Sequence, residues 1–130
     1  MEKMSYSVMV QMVGGPSLPI FGFMELDAYE KITVTVPKKT DGTNGSADVV
    51  VSPGDLDDTK ALIITSSIED GKVSFKTSKA GAQPNYISGP ITLIGSTACK
   101  LLGTKPDKLS FTNAGDNDAD ITIFVGRSAT

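Results

Sequence analysis

The stretch "DNDAD", residues 116–120, places Asp116, Asp118 and Asp120 at alternate positions, as at the start of a calcium loop. An EF-hand loop then needs Gly at its sixth position and Glu at its twelfth, and Ile121 and Arg127 stand there instead. Ile121 also begins an apolar–polar alternation with Ile123 and Val125, which a twelve-residue loop would destroy. The bridge therefore reads as the polar turn of a hairpin joining "KLSFTN" to "ADITIFV". Asp55, Asp57 and Asp58 in "GDLDD" could offer oxygen ligands, and read as a solvated loop. The glycine-bearing "GSTACKLLGTK" (95–105) fails the phosphate-loop spacing and lacks a surrounding βαβ unit, so it reads as a crossing loop. Cys99 is the one thiol, and the chain has no His. This removes Cys–His and Ser–His–Asp machinery and the usual zinc sites. The acids that could hydrolyse glycosides lie mainly in turns, without a Trp platform. No catalytic residue, metal or cofactor is expected, and the chain is expected not to be an enzyme.

The elements that would position these groups are strands. In "SYSVMVQMV", Tyr6, Val8, Val10 and Met12 share one side. "EKITVTV" alternates Ile32, Val34 and Val36 with threonines, and "GKVSFKTS" alternates Val73 and Phe75 with polar residues. Such a period of two marks antiparallel sheets with one buried face. "ADVVVS", "ALIITS" and "ITLIGS" are continuous β-branched runs, suited to central strands or to contact with another subunit. Gly14-Gly15-Pro16, Asp41-Gly42, Asn44-Gly45, Pro53-Gly54, Asp70-Gly71 and Gly89-Pro90 cut the chain into strand-length pieces. "NGS" at 44–46 reads as an Asn-Gly turn rather than a glycosylation site, and "SIEDGKV" as a tight hairpin. Helical signal is confined to single turns in "GDLDDTKA", with Asp55 as cap, and in "STACKLLG".

Eight or nine strands are predicted, at about 5–13, 20–26, 31–37, 47–52, 60–66, 72–78, 90–96, 107–113 and 119–126. The fold class is all-β: a single antiparallel β-sandwich of jelly-roll or immunoglobulin-like type over residues 1–130. Residues 1–26 read as an arm or strand for packing between subunits. Met4, Met9, Met12 and Met24, with "PSLPIFGFMEL", make this region richer in apolar groups than one sandwich requires. Val8, Val10, Met12, Ile20, Phe21 and Phe23 are the candidate interface residues.

The chain has 130 residues and a net charge of −3, with its 12 Lys and Arg scattered. A phosphate-backbone binder needs a concentrated positive face, so no nucleic-acid partner is expected. No run approaches the length of a membrane helix, no secretory leader is evident, and no membrane partner is expected.

"KALIITSSIEDGKVSFKTSKAGAQPNYISGPITLIGSTACK" (60–100) and "KLSFTNAGDNDADITIFVGRSAT" (108–130) together resemble the ends of small β-rich structural proteins of tailed bacteriophages. The shared pattern is a strand ending in "ITS", a returning "VSFKT", a "GPITLIG"-type strand and a closing "L.FTNAG..DADITIFV" hairpin. It covers roughly the last 70 residues and includes no catalytic or ligand motif. The resemblance implies a non-enzymatic virion component, made in the host cytoplasm, most simply a head-decorating (cement) protein. Its partners would be itself, as a homo-oligomer with a trimer as the expected order, and other virion proteins such as the major capsid protein. The alternatives are a tail, neck or baseplate component, and a carbohydrate- or surface-binding module. The last would use Tyr29 or Tyr86, with calcium as an optional ligand.

Overall fold

A computed structural model of the chain describes residues 2–51 and 56–128. Ten strands are present among them: β1 (Glu2–Gln11), β2 (Ser17–Leu26), β3 (Ala28–Val36), β4 (Gly45–Val50), β5 (Thr59–Ser66), β6 (Val73–Thr77), β7 (Asn85–Tyr86), β8 (Ile91–Ile94), β9 (Lys108–Asn113) and β10 (Ala119–Arg127). A 3-10 turn, Leu56–Asp58, and one short helix, α1 (Ser96–Lys100), complete the list. The all-β sandwich is therefore present. Its sheets are β3-β10-β5-β8 and β4-β9-β6-β7, with every neighbouring pair antiparallel. Among the described residues, β1 and β2 pair only with each other.

The alternation read from the sequence explains the core. Ile121, Ile123 and Val125 of β10 face inward beside Ile64 and Leu62 of β5. Leu109 and Phe111 of β9 face them from the other sheet, with Val49, Val73 and Phe75. The Phe75 and Phe111 rings lie 5.9 Å apart and tilted by 41°, a favourable aromatic geometry. Of the three continuous β-branched runs, only "ALIITS" is a central strand. "ADVVVS" supplies edge strand β4, where Val49 is buried and Val50 is exposed, and "ITLIGS" supplies edge strand β8.

Two expected hairpins are sheet crossings instead. β5 and β6 lie in different sheets, as do β9 and β10. A two-residue type I′ hairpin needs positive φ at both central residues. At Asp70-Gly71 only Gly71 has it, at 85°, and the chain turns the corner over several residues, with Asp70 accepting a hydrogen bond from the Lys72 amide at 3.0 Å. Asn44-Gly45 is likewise not the turn. Asp41 (φ 49°) and Gly42 (φ 78°) make it, between Thr40 and Thr43, whose amides and carbonyls bond reciprocally at 2.9 Å. Gly45 begins β4 in close contact with the Pro37 carbonyl, where an added Cβ would have no room.

The β9–β10 crossing is locked by Asn113, whose side chain is fully buried. Its Nδ2 donates to the carbonyls of Val36 at 3.2 Å and Asn117 at 2.8 Å, and its Oδ1 accepts from the Gly115 amide at 2.8 Å. One amide thus ties together the end of β3, the end of β9 and the corner loop. Replacing it strands several buried polar groups, each costing on the order of 1–3 kcal/mol. Asn113→Ala is expected to destabilise the chain by about 2–4 kcal/mol in urea unfolding. A loss under about 0.5 kcal/mol, the range of ordinary surface changes, would show that the corner does not depend on it.

Candidate interaction surface

The acidic corner is occupied by structural hydrogen bonds. Asp118 accepts from the Lys38 amide at 2.9 Å, and Asp120 accepts from the Thr35 hydroxyl at 2.8 Å. The Asp120 amide donates to Ser67 Oγ at 2.9 Å. These contacts pin the loop to β3 and to the β5–β6 corner. Asp57 forms an exposed ion pair with Lys100 at 3.0 Å, a contact of little energetic weight. Asp55 lies outside the described residues. Among the described residues, no group of three His, Cys, Asp or Glu could hold a metal ion. Cys99 is the buried residue of α1; burial pushes its thiol pKa up, which opposes a role as nucleophile. Tyr29 stacks on Phe124 at 5.8 Å on the first sheet, whereas Tyr86 is on β7 in the second. They stand at opposite lateral edges of the sandwich and form no common platform.

The exposed apolar surface is concentrated at the N-terminus. β1 and β2 make a ten-pair antiparallel ribbon, from Glu2↔Leu26 to Gln11↔Ser17. The turn at its tip is closed by the Gly15 amide donating to the Met12 carbonyl at 3.0 Å, with Gly14 at φ 69°. At its base, Leu26 is buried against Gly126 of β10, and the Asp27 amide donates to the Arg127 carbonyl at 2.9 Å. A Cβ on Gly126 would come within 2.6 Å of the Leu26 side chain, so the missing side chain is what seats the ribbon. Beyond that anchor, among the described residues, the ribbon has no second layer.

Register assigns the candidate residues to faces, because directly opposite residues project together. Val8 opposes Ile20, and Val10 opposes Leu18, on the same face as Met4, Tyr6 and Met24. Phe21 and Phe23 oppose Ser7 and Ser5 on the reverse face, with Met9. Met12 is at the tip. The six residues singled out from the sequence therefore share the arm but not one face. Tyr6 lies across Gly22, whose absent side chain leaves room for the ring. On the reverse face the Lys3 ammonium sits 4.6 Å from the Phe23 ring centre.

Exposure is high throughout: Phe21 is 74% and Phe23 70% exposed. Nine of the thirteen exposed large apolar residues described belong to the arm; the other four are Tyr29, Val50, Tyr86 and Leu101. The sequence reading missed Met9, Val13 and Leu18 in this set. The signal that identifies them is charge: residues 4–24 contain no Asp, Glu, Lys or Arg. Away from the arm, a depression of about 230 Å³ opens between β7 and β8, lined by Phe75, Tyr86, Ile91, Leu93, Leu101 and Leu102 with Asn85. Comparison of the chain with protein-family models, curated protein sequences and solved structures finds no match.

Because Phe21 and Phe23 contribute nothing to the core, truncating them should not unfold the molecule. The double variant Phe21→Ser, Phe23→Ser is expected to keep its urea unfolding free energy within about 0.5 kcal/mol of the parent at a concentration where the parent is a monomer. A larger loss would place these rings inside the fold of the single chain.

Proposed function

We propose that this chain is a non-enzymatic structural protein of a bacteriophage particle. It acts by burying apolar β surface against copies of itself and against other virion proteins, most simply as a cement protein on the major capsid shell. One observation carries the reading: a β-ribbon free of charge from residue 4 to 24, with apolar residues on both faces, held out from an otherwise well-buried sandwich. A patch of this extent is a site for protein contact rather than for small-molecule chemistry.

The topology supports the jelly-roll type over the immunoglobulin-like one. From β3 to β10 the chain changes sheets at every step except β6–β7, giving two interleaved four-stranded sheets. Eight strands in two such sheets is the jelly-roll arrangement, an architecture that viral capsid proteins and lectins both use. The fold analogy alone leaves function open. The separated tyrosines weigh against the lectin-like use, and the arm favours assembly. Repeated weak contacts, multiplied by symmetry, give large total stability without high affinity at each site. A homo-oligomer follows from the same logic, and the trimer is one order that such contacts can take.

The test is to raise an antibody against the chain and quantify the protein in purified phage particles. A cement protein gives on the order of hundreds of copies per particle, as the symmetry of a capsid requires, and labels the head. Tens or fewer at one vertex would move it to the neck, tail or baseplate, and absence from particles overturns the virion reading. Val8→Glu, Val10→Glu and Phe23→Glu are each expected to abolish particle attachment and leave monomers or aggregates. Normal assembly and attachment by all three would contradict the role assigned to the arm.

A further inference from the structure

We infer that the arm's uncovered partner is the arm of a second copy, joined strand to strand through the outer edge of β1 about a twofold axis. The inference deepens the oligomer part of the proposed function, rests on it only there, and does not depend on placement in a virion.

The edges of this molecule are unequally protected. Strand edges are normally kept from pairing by charge, by proline, by shortness or by a covering element. β7 has two residues and β8 four. β3 carries Glu30 and Lys31, and β4 carries Asp48. β2 contains Pro19, which has no N–H to offer, and Glu25. β1 has ten residues, no proline, and no charge after Lys3, and among the described residues only β2 is hydrogen-bonded to it. Its other side is a long row of backbone donors and acceptors with no such protection.

The side-chain pattern then selects a register. In an antiparallel pair centred on a residue, position n−k of one strand faces position n+k of the other. The two then have the same parity, and apolar faces stay together. Centring on Ser7 uses residues 3–11, nearly the whole of β1. Tyr6 then faces the second copy's Val8, Met4 faces its Val10, and Ser5 faces its Met9. Lys3 faces Gln11, so no like charges meet. Centring on Tyr6 would instead set Glu2 against Val10. The product is a four-stranded sheet ordered β2-β1-β1-β2, whose apolar face carries Val8, Val10, Leu18 and Ile20 twice. Two-stranded ribbons are marginal alone, whereas four strands with an apolar face are not. The pairing joins backbone edges and leaves both faces of this sheet open.

The experiment is cysteine cross-linking of the full chain with Cys99, 2% exposed, left in place. Paired strands bring facing Cα atoms within the ~4.4–6.8 Å that a disulfide spans. Ser7→Cys is expected to form a disulfide-linked dimer on mild oxidation, at least tenfold more than Ser5→Cys alone or the parent chain. An equimolar mixture of Ser5→Cys and Met9→Cys is expected to link where neither does alone. The unmodified chain should show twice its monomer mass by light scattering. A monomeric or trimeric mass without linkage at position 7 overturns the pairing. So does linkage of Val13→Cys to Leu101→Cys, which would put the tip in a neighbour's β7–β8 depression. Monomers that co-sediment with phosphatidylcholine vesicles would overturn it in favour of a membrane-seeking hairpin. A twofold dimer absent from particles would sink only the virion reading, and a monomer abundant in particles only the pairing.

Discussion

A β-strand buries a side chain only when another layer faces it, and that single requirement separates this molecule into two parts. β3 to β10 satisfy it among themselves: two sheets face each other, and Ile121, Ile123, Leu109 and Phe111 are buried between them. β1 and β2 do not. Their residues have strand-forming types and a complete ladder, yet among the described residues no third strand and no opposing sheet. The chain thus spends Val8, Ile20, Phe21 and Phe23 on surface that a solitary molecule leaves in water, where each large apolar side chain forgoes about 1.5–3 kcal/mol of burial. This surface, free of charge from residue 4 to 24, is the one that the proposed assembly would cover.

The sandwich supplies what such an arm needs, a rigid base. Its two sheets are joined by corners, and the β9–β10 corner is fixed by side chains reaching across it. Asn113 holds the β9–β10 corner to the end of β3, and Asp118 and Asp120 hold the same corner to Lys38, Thr35 and Ser67. The Gly126 gap in β10 then receives Leu26, so the arm leaves the body from a fixed point. The acidic segment that most resembled a chemical site is thereby accounted for as an architectural one.

Much of this was legible before any coordinates. The alternation in "KITVTV", "KVSFKT" and "DITIFV" marks Val36, Val73, Phe75, Ile121, Ile123 and Val125, which are buried, and Ile32 and Val34, which are half-buried; it misses Ser74, which is buried too. It carries no information about which strand pairs with which. The "DNDAD" and "EDG" segments look like hairpin turns for that reason, although both change sheets. Composition also flagged the arm without dividing it into faces. Phe21 and Phe23 were grouped with Val8 and Val10, and only the register shows them on opposite sides of the ribbon. Met9, Val13 and Leu18 were left out of the six interface candidates because the choice followed apolar content and not the absence of charge, which marks the segment's limits more sharply.

The claim that the arm exists to be covered by protein is tested most directly by hydrogen–deuterium exchange of residues 4–24 as a function of protein concentration. The account predicts slow exchange at concentrations that support assembly and fast exchange on dilution, while β5, β9 and β10 stay protected at both. Equally fast exchange in the arm at every concentration, alongside a protected sandwich, would contradict it.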